Sequence, residues 1–270
     1  MNRKRFVKQR HAQRFRAWLQ QYHNPAMVQQ AGSQRVCRDM VTLLTYVQNH
    51  KVVGTQSTGN MPLKAVREVT ADFVNPPQLD TTIGERTYRL RSEADVWPLY
   101  FLHILAEVGG LLSCAPSRRW RLTDDGLAFL KRDAFLQLGQ LLTVWWYGVN
   151  WLVAYPFEGM GEALPVTFRM TTLRHLQRCD EGQRIAFEAF ADDLIAETGL
   201  TWTAIDSRSS QMSLRSGINQ MVIKVLADFG AVDCQTREEP LGKGTIKKLD
   251  TFWITPLGQA LLAGIAAMRD

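Results

Sequence analysis

The residue types able to do chemistry in this chain are few and widely separated. Among its five histidines, His175 lies four residues before Cys179 on the same helix face, so this pair could supply half of a metal site. A metal site needs further ligands at similar spacing, so we interpret this pair as structural. Asp192–Asp193 and Glu238–Glu239 are adjacent acids, which favour solvated surfaces over a convergent acid and base pair.

Motifs typical of enzymes are also missing from the sequence. It contains no Walker loop, GxGxxG, HExxH or GxSxG motif. The four cysteines form no CxxC pair and are typical of reduced thiols filling small apolar spaces in a cytoplasmic protein. We therefore predict a non-enzymatic, cytoplasmic protein with no catalytic residue, no metal and no cofactor.

Positive charge is concentrated at the N-terminus. Residues 1–38 contain nine Lys or Arg residues and no acid, so the remainder of the chain is nearly neutral. A basic arm of this kind can release counterions from a phosphate backbone, which makes Arg3, Lys4 and Arg5 candidate DNA contacts. The alternative is a solvated helix that keeps the protein soluble. No apolar run follows, so a secretory signal is not expected.

A charge-free segment extends from Ala134 to Phe157 and is long enough to cross a membrane. Its apolar residues recur at three- and four-residue steps beside a polar stripe, which is typical of a helix packed on one side in water. We expect an amphipathic linker helix and no membrane span. The apolar stripe is either intramolecular core or half of a dimer interface. It comprises Phe135, Leu138, Leu142, Trp145, Val149 and Leu152.

One sequence pattern occurs twice, at residues 104–130 and 225–262. Each copy predicts a helix ended by a left-handed glycine, then a β-hairpin, then a helix capped by threonine. The second copy differs mainly by a longer polar stretch, which falls at the hairpin tip, where loops tolerate insertion. The predicted matches are Gly109 with Gly230, Thr123 with Thr255, and Gly126 with Gly258.

Upstream elements complete a winged-helix order of helix, strand, helix, helix and hairpin. In the first copy we predict a helix over Val36–His50, a strand over Lys51–Thr55, a helix after an N-cap at Asn60, and a third helix capped by Ser92. Residues 78–91 are expected to form a loop or small hairpin.

The second copy leaves two assignments open. Either Gln183–Thr198, ended by Gly199, is its first helix and Leu200–Thr203 its strand, or Thr167–Arg178 supplies the first helix and shifts the assignments.

The segment KVVGTQSTGNMPLKAVR over Lys51–Arg67, the Leu-Thr-x-x-Gly sequence at 122–126 and the Trp-rich helix after it also carry a resemblance. Together they resemble uncharacterised bacterial proteins related to a plasmid-encoded ORF-3 family, over about residues 36–155. The resemblance implies a winged-helix-like fold and a link to mobile elements, with no defined activity.

The predicted fold is mainly α with small β-hairpins, an α+β protein with two winged-helix-like modules joined by a long amphipathic helix. We expect a basic N-terminal arm or helix over 1–35 and module 1 over 36–132. A linker helix and connector would cover 133–182, and module 2 would cover 183–270.

The third helix of a winged helix presents its polar N-terminal residues to base edges. In module 2 this helix carries no acid before Asp228. In module 1 it begins with Glu93 and Asp95, whose charges would repel phosphate, so we interpret module 1 as mainly structural or partner-binding. The candidate DNA contacts are Arg208, Gln211, Arg215, Ser216, Asn219, Lys243, Lys247 and Lys248, with Arg118 and Arg119 in the hairpin of module 1.

The leading hypothesis is a bacterial DNA-binding protein, a regulator or a mobile-element accessory factor, whose partner is double-stranded DNA. The alternative is a winged-helix protein–protein interaction subunit of a larger bacterial assembly. A homodimer or protein partner through module 1 and the 134–157 helix is a further expectation.

Overall fold

The computed structural model describes residues 3–83, 86–114, 117–154, 164–202, 207–241 and 244–268. The chain divides into two compact units. The central unit is Val28–Val149, and the terminal unit combines Met1–Met27 with Asn150–Asp270. The described residues are mainly helical with small antiparallel sheets, which confirms the α+β class.

The secondary structure is dominated by short helices. In chain order these are α1 (Arg3–Tyr22), α2 (Pro25–Ser33), α3 (Arg35–Asn49), α4 (Leu63–Ala71), α5 (Trp97–Val108), α6 (Asp124–Leu130), α7 (Ala134–Thr143), α8 (Trp151–Ala154), α9 (Phe168–Gln177), α10 (Phe187–Thr198), α11 (Ser207–Ile218), α12 (Lys224–Asp228) and α13 (Pro256–Ala267). The strands are β1 (Thr81–Ile83), β2 (Arg86–Tyr88), β3 (Leu112–Ser113), β4 (Arg121–Leu122), β5 (Ile185–Ala186), β6 (Val232–Leu241) and β7 (Gly244–Ile254). A 3₁₀ segment, Glu93–Asp95, precedes α5, and π-helical segments follow α7 (Val144–Gly148) and α11 (Asn219–Ile223).

The core of the central unit is built around α3, which contacts α4, α5, α6 and α7. Its buried residues Met40, Leu43, Leu44 and Val47 follow the three- and four-residue spacing of one helix face, so α3 turns a continuous apolar stripe inward. The predicted helix over Val36–His50 is confirmed. The hairpin expected within 78–91 is also present, as β1 and β2.

The strand predicted over Lys51–Thr55 is a short backbone pairing. Val53 forms an isolated antiparallel bridge with Arg119, and Gly54 N donates to Arg118 O at 2.7 Å. The predicted N-cap at Asn60 is wrong, because α4 begins at Leu63 after Pro62. The carbonyl of Asn60 instead accepts from Thr55 N at 2.8 Å and closes the intervening loop.

The repeated pattern builds the same junction in both units, which we name the threonine clamp. In the central unit Thr123 Oγ1 donates to Gly110 O at 2.6 Å, and Gly126 N donates to Thr123 Oγ1 at 3.0 Å. Each clamp ties the end of one helix to the start of the next across a confirmed antiparallel hairpin. In the terminal unit Thr255 Oγ1 donates to Gly230 O at 2.7 Å, and Gly258 N donates to Thr255 Oγ1 at 2.9 Å.

The predicted match of Gly109 with Gly230 is wrong by one residue. Gly230 has φ +67°, and its counterpart is Gly110, which also has φ +67°, whereas Gly109 keeps a right-handed φ of −74°. The helix-closing bond comes from the residue after the left-handed glycine, Leu111 or Ala231. Two consecutive glycines made this register ambiguous in the sequence.

In the terminal unit the short strand lies before its helix. Strand β5 pairs with β7 at Ile185↔Phe252, and the sheet order is β5-β7-β6. Within the strand predicted after α10, at Leu200–Thr203, Trp202 is in an isolated β-bridge and Thr203 lies outside the described residues. Helix α10 begins at Phe187 rather than Gln183. The alternative assignment, with a first helix in 167–178, agrees with the observed order because α9 precedes β5. Gly199 ends α10 with φ +66°, as predicted.

The basic N-terminal segment is a helix, α1, that packs on α13. Trp18 is buried, and its Nε1 donates to Ala260 O at 2.6 Å. A Cβ added at Gly264 would lie 2.9 Å from Trp18 Cε2, so glycine is needed for this close approach. The part of this helix around Trp18 is thus packed on the terminal unit, and the side chains of residues 3–12 lie outside the described part of the structure.

The single helix predicted over 134–157 is wrong. Helix α7 ends at Thr143, the π-helical segment ends at Gly148, and Val149 is extended with ψ 136°. Asn150 Oδ1 then accepts from Leu152 N at 3.1 Å, which stabilises a new helix start. Residues 155–157 lie outside the described ranges. No described helix combines the length and the apolar character that a membrane span requires.

The apolar stripe of α7 is intramolecular core. Phe135, Leu138, Leu142 and Trp145 are buried, and the Trp145 ring packs edge-on against Phe101 at 5.3 Å. These side chains are covered by their own unit, so the core interpretation is confirmed for them and they cannot form a dimer interface.

Candidate nucleic-acid interface

The predicted base-reading helix corresponds to α11, which continues through the π-helical segment into α12. Ser216 is exposed on it, and Asn219 is half-buried. The side chain of Arg208 and the whole of Lys243 lie outside the described residues, as do the side chains of Arg3, Lys4 and Arg5.

Arg215 is directed at carboxylates of α10. Its Nε and Nη2 donate to Asp192 at 2.8 and 2.5 Å, and its Nη1 donates to Glu188 at 3.0 Å. Gln211 Nε2 also donates to Asp192, at 3.1 Å. The Arg215 side chain is only 22% exposed, and hydrogen bonding from it holds the pKa of Asp192 below its usual value. Two of the predicted base-reading residues, Arg215 and Gln211, therefore hydrogen-bond to Asp192 within the protein.

The same carboxylates bind cations of the β6–β7 hairpin. Lys248 Nζ lies 2.7 Å from Glu188 Oε1, and hydrogen bonding from Lys248 lowers the pKa of Glu188. Arg237 contacts Glu239 at 2.8 Å and Asp250 at 3.0 Å. We name the whole group the charge cluster: Glu188, Asp192, Glu239 and Asp250, with Arg215, Arg237 and Lys248. Because its four acids outnumber its three bases, this surface offers phosphate no net attraction.

Arg215→Ala is expected to destabilise the terminal unit by about 1 kcal/mol, since Asp192 loses its bidentate partner and Glu188 loses one of its three cations. Urea denaturation at pH 7 measures the change. The matched control is Lys224→Ala, which removes an exposed cation that follows the same helix and forms no ion pair with a described residue. An equal loss in both variants would show that the α10 contacts contribute nothing beyond charge.

Lys247 differs from its neighbour Lys248. Successive residues of a strand point to opposite faces, so Lys247 lies on the hairpin face away from Lys248, in register with Glu238. It is exposed, and no carboxylate of the described ranges lies within 4.0 Å of its ammonium group. Lys247 is thus available to an external anion.

The hairpin of the central unit carries three exposed arginines, Arg118, Arg119 and Arg121. Its backbone is fixed, because Gly54 N donates to Arg118 O and Trp120 Nε1 donates to Gly59 O at 3.0 Å. Arg118 has φ +56°, the only positive φ of a non-glycine residue in the described part of the chain. None of the three guanidinium groups pairs with a described acid, so they form a compact positive surface.

The two acids at the start of the third helix of module 1 differ in burial, since Glu93 is buried and Asp95 is exposed. Glu93 is 1% exposed, and its Oε1 lies 2.7 Å from His103 Nδ1. Asp95 Oδ2 accepts the backbone amides of Arg91 and Ser92, at 2.9 and 3.0 Å. Sequence reasoning missed the Glu93–His103 pair, although a histidine on an otherwise apolar helix face signals a buried partner.

His175 and Cys179 are satisfied locally. His175 Nε2 lies 2.7 Å from Glu197 Oε2, and Cys179 Sγ donates to His175 O at 3.2 Å. Within the described ranges, no group of three or more His, Cys, Asp or Glu residues is arranged to hold a metal ion.

Comparison with known proteins returned no matching family model, no matching curated protein and no matching solved structure. The likeness to the plasmid-encoded ORF-3 family therefore stays a prediction. Function has to be inferred from the residues and their geometry.

Proposed function

We propose that both units are winged helices and that the protein binds double-stranded DNA without catalysing a reaction. The element order supports this assignment, because in each unit the first strand pairs with the returning strand of the hairpin. In winged-helix order, the elements of the central unit are α3, Val53, α4, α5, β3–β4 and α6. Their counterparts in the terminal unit are α9, β5, α10, α11–α12, β6–β7 and α13.

The observation that carries the proposal is that both hairpins carry exposed cations with no ion-pair partner among the described residues, namely Arg118, Arg119 and Lys247. Cations on a winged-helix hairpin are well placed to contact phosphate, the term that dominates DNA affinity. The basic helix α1, with Arg3, Lys4 and Arg5, adds charge to the terminal unit.

Sequence preference is expected to be modest. Arg215 and Gln211 bind Asp192, so base contacts would fall to Ser216, Asn219 and Arg208. Of these, Ser216 has a short hydroxyl side chain that discriminates bases less well than a bidentate arginine, and Asn219 is half-buried. We therefore propose affinity that comes mainly from backbone contacts.

Lys247→Ala is expected to lower the salt dependence of DNA binding, since it removes a phosphate contact. The slope of log K against log salt should fall by about 1. Fluorescence anisotropy of a labelled random duplex, titrated over a salt series, measures this slope. Lys248→Ala is the matched control, because this neighbour neutralises Glu188, and its removal should leave the slope unchanged. Equal slopes in the two variants would remove the hairpin of the terminal unit from the interface.

The double variant Arg118→Asn/Arg119→Ala tests the central unit in the same assay. Asparagine tolerates the left-handed backbone at residue 118, so the hairpin should keep its conformation. The slope should fall by about 2. Lys131→Ala, which removes an exposed charge outside the hairpin, is expected to have little effect. Unchanged binding in the double variant would contradict a role for this hairpin.

A second candidate function is protein docking within a larger assembly. The neutralised charge cluster favours it, as does the outer side of α5, where Val108 is 48% exposed. Absence of a DNA shift at low salt, together with one stoichiometric partner in a pull-down, would support docking over DNA binding.

A further inference from the structure

A segment from outside the hairpin extends the small sheet of the central unit. Val53 is bridged to Arg119 of the hairpin, and Trp120 N donates to Val52 O at 3.0 Å. Strand β4 pairs with β3 along its other edge. The central unit therefore has three antiparallel strand segments side by side, and one of them comes from much earlier in the chain.

This sheet has an apolar inner face and a cationic outer face. Successive residues of a strand point to opposite faces. Val52 and Trp120 are buried, at 3% and 2% exposure, so they define the inner face. Lys51, Arg119 and Arg121 alternate with them and are exposed. We name these three residues the outer cation face.

The outer cation face has no acid to neutralise it. Neither residues 40–67 nor residues 108–123 contain Asp or Glu, and the two acids that begin α6 form no ion pair with a described cation. The antiparallel register places Lys51 opposite Arg121, and like charges directly opposite each other in a sheet are destabilising. An anion bound between them would remove this repulsion.

The backbone beneath the outer cation face is fixed by the core. Trp120 Nε1 donates to Gly59 O at 3.0 Å, and the Trp120 ring packs on buried His103 at 4.2 Å. Arg118, which precedes the face, has a left-handed φ of +56°, a conformation that costs free energy for a residue with a side chain. Gly54 N holds its carbonyl at 2.7 Å. Fixed backbone positions for the cations reduce the ordering cost of binding an extended anion.

The third helix of the central unit, α5, offers phosphate no such attraction. Residues 92–108, which contain this helix and its start, include no Lys or Arg, and Asp95 and Glu107 are exposed. A helix that enters a DNA groove lies between two rows of phosphates, so a helix with acids and no cations would be repelled. The charges of the central unit therefore favour contact through the sheet.

We propose that the central unit binds the phosphate backbone of double-stranded DNA across the outer cation face, and that α5 stays outside the groove. Arg119 and Arg121 are two residues apart on one strand, about 7 Å, so they contact neighbouring phosphates of one DNA strand. Lys51 adds a third contact from the adjacent segment. Phosphate contacts carry no sequence information, so this unit contributes affinity without base preference. This inference rests on the proposed function and adds to it the docking side and two contact residues, Lys51 and Arg121.

A matched pair of added charges tests the docking side. Ser113→Lys adds a cation at the exposed position opposite Arg121, whereas Ala94→Lys adds one at an exposed position just before α5. In the anisotropy assay with a random duplex, Ser113→Lys should steepen the slope of log K against log salt by about 1, and Ala94→Lys should leave it unchanged. Equal changes would show a general effect of charge, and a larger change for Ala94→Lys would place α5 at the DNA. Either result would overturn the proposal.

Removal of charge tests the contact residues. Lys51→Ala and Arg121→Ala should each lower the slope by about 1, and by the same amount on an A·T-rich and a G·C-rich duplex, because the backbone is common to both. Lys131→Ala, which removes an exposed cation at the end of α6, is the control and should have little effect. Losses that differ between the two duplexes would contradict a backbone contact.

The native chain separates this inference from the proposed function. If it binds DNA but Ser113→Lys, Lys51→Ala and Arg121→Ala all behave like their controls, the inference is wrong and DNA binding through the terminal unit stands. If the native chain does not bind a duplex at low salt, both are wrong. Circular dichroism checks that each variant is folded. Because Ser113→Lys is expected to strengthen binding, misfolding cannot imitate the expected result, and the two alanine variants decide if the lysine variant does not fold.

Discussion

Gly258→Ala and Gly126→Ala are each expected to abolish stable folding of the unit that contains the glycine. A Cβ at Gly258 would lie 1.8 Å from Ala231 O, and one at Gly126 would lie 2.2 Å from Leu111 O. The clashing atoms are backbone carbonyls held by the threonine clamp, since Thr255 N and Thr123 N donate to these same oxygens. Relief requires opening the junction, which we expect to cost at least about 3 kcal/mol.

Chemical denaturation followed by circular dichroism measures this loss. Gly32→Ala is the matched control for Gly126→Ala, because both positions are in the central unit and a Cβ at Gly32 would lie 3.5 Å from Ala134 Cβ, an ordinary contact. Gly32 is in α2, so alanine there should leave the free energy of unfolding unchanged or raise it by up to about 1 kcal/mol. A Gly126→Ala protein as stable as the control would show that the clamp is not needed.

Glu93→Ala is the second substitution with a large expected effect, a loss of about 3–5 kcal/mol in the central unit. It removes the acceptor of Met61 N and leaves the imidazolium of His103 buried without its counterion. Urea denaturation measures the loss. Asp80→Ala is the comparison, because it breaks an exposed ion pair with Arg67 and a hydrogen bond from Leu90 N but leaves no buried charge behind, so it should cost far less. Similar losses in the two variants would contradict the importance of burial.

The same pair predicts how stability depends on pH. The folded-state pKa of His103, about 9, is above the value of about 6.5 expected in the unfolded chain. Folding therefore favours the protonated ring, and this contribution to stability is complete below pH 6.5 and lost as the pH rises to 9. Denaturation midpoints at pH 6.5, 7.5 and 8.5 should fall for the native chain. The interaction of His103 with Cys114 raises its pKa more than the interaction with Glu93 does, and it remains in Glu93→Gln. The midpoints of this variant should therefore still fall, but by less, and parallel slopes would rule out a contribution from Glu93.

Local sequence signals predicted the repeated hairpin and its caps correctly. Thr123 and Thr255 accept the amides of Gly126 and Gly258 because a threonine N-cap acts within three residues of itself. The left-handed glycine was placed one residue early, at Gly109 rather than at its neighbour, because composition alone does not say which of two glycines takes the positive φ.

Longer elements were predicted less well where their limits depend on packing. The 134–157 segment has a continuous apolar period, yet the helix stops near Gly148, where an added Cβ would lie 2.9 Å from Val108. Strand β5 is two residues long and has no pattern of its own, since it exists through pairing with β7. Such elements depend on residues far away in the sequence.

By itself the sequence determined the α+β composition, the two glycine-ended helices, the hairpins that follow them and the caps that close them, because these features depend on residues within a few positions of one another. Only the tertiary structure decided which charges remain available. Arg215 meets Asp192 across 23 residues, and Glu93 meets His103 in the core. Attraction between charges depends on their distance in space and on their burial, and neither quantity can be read from the residue types.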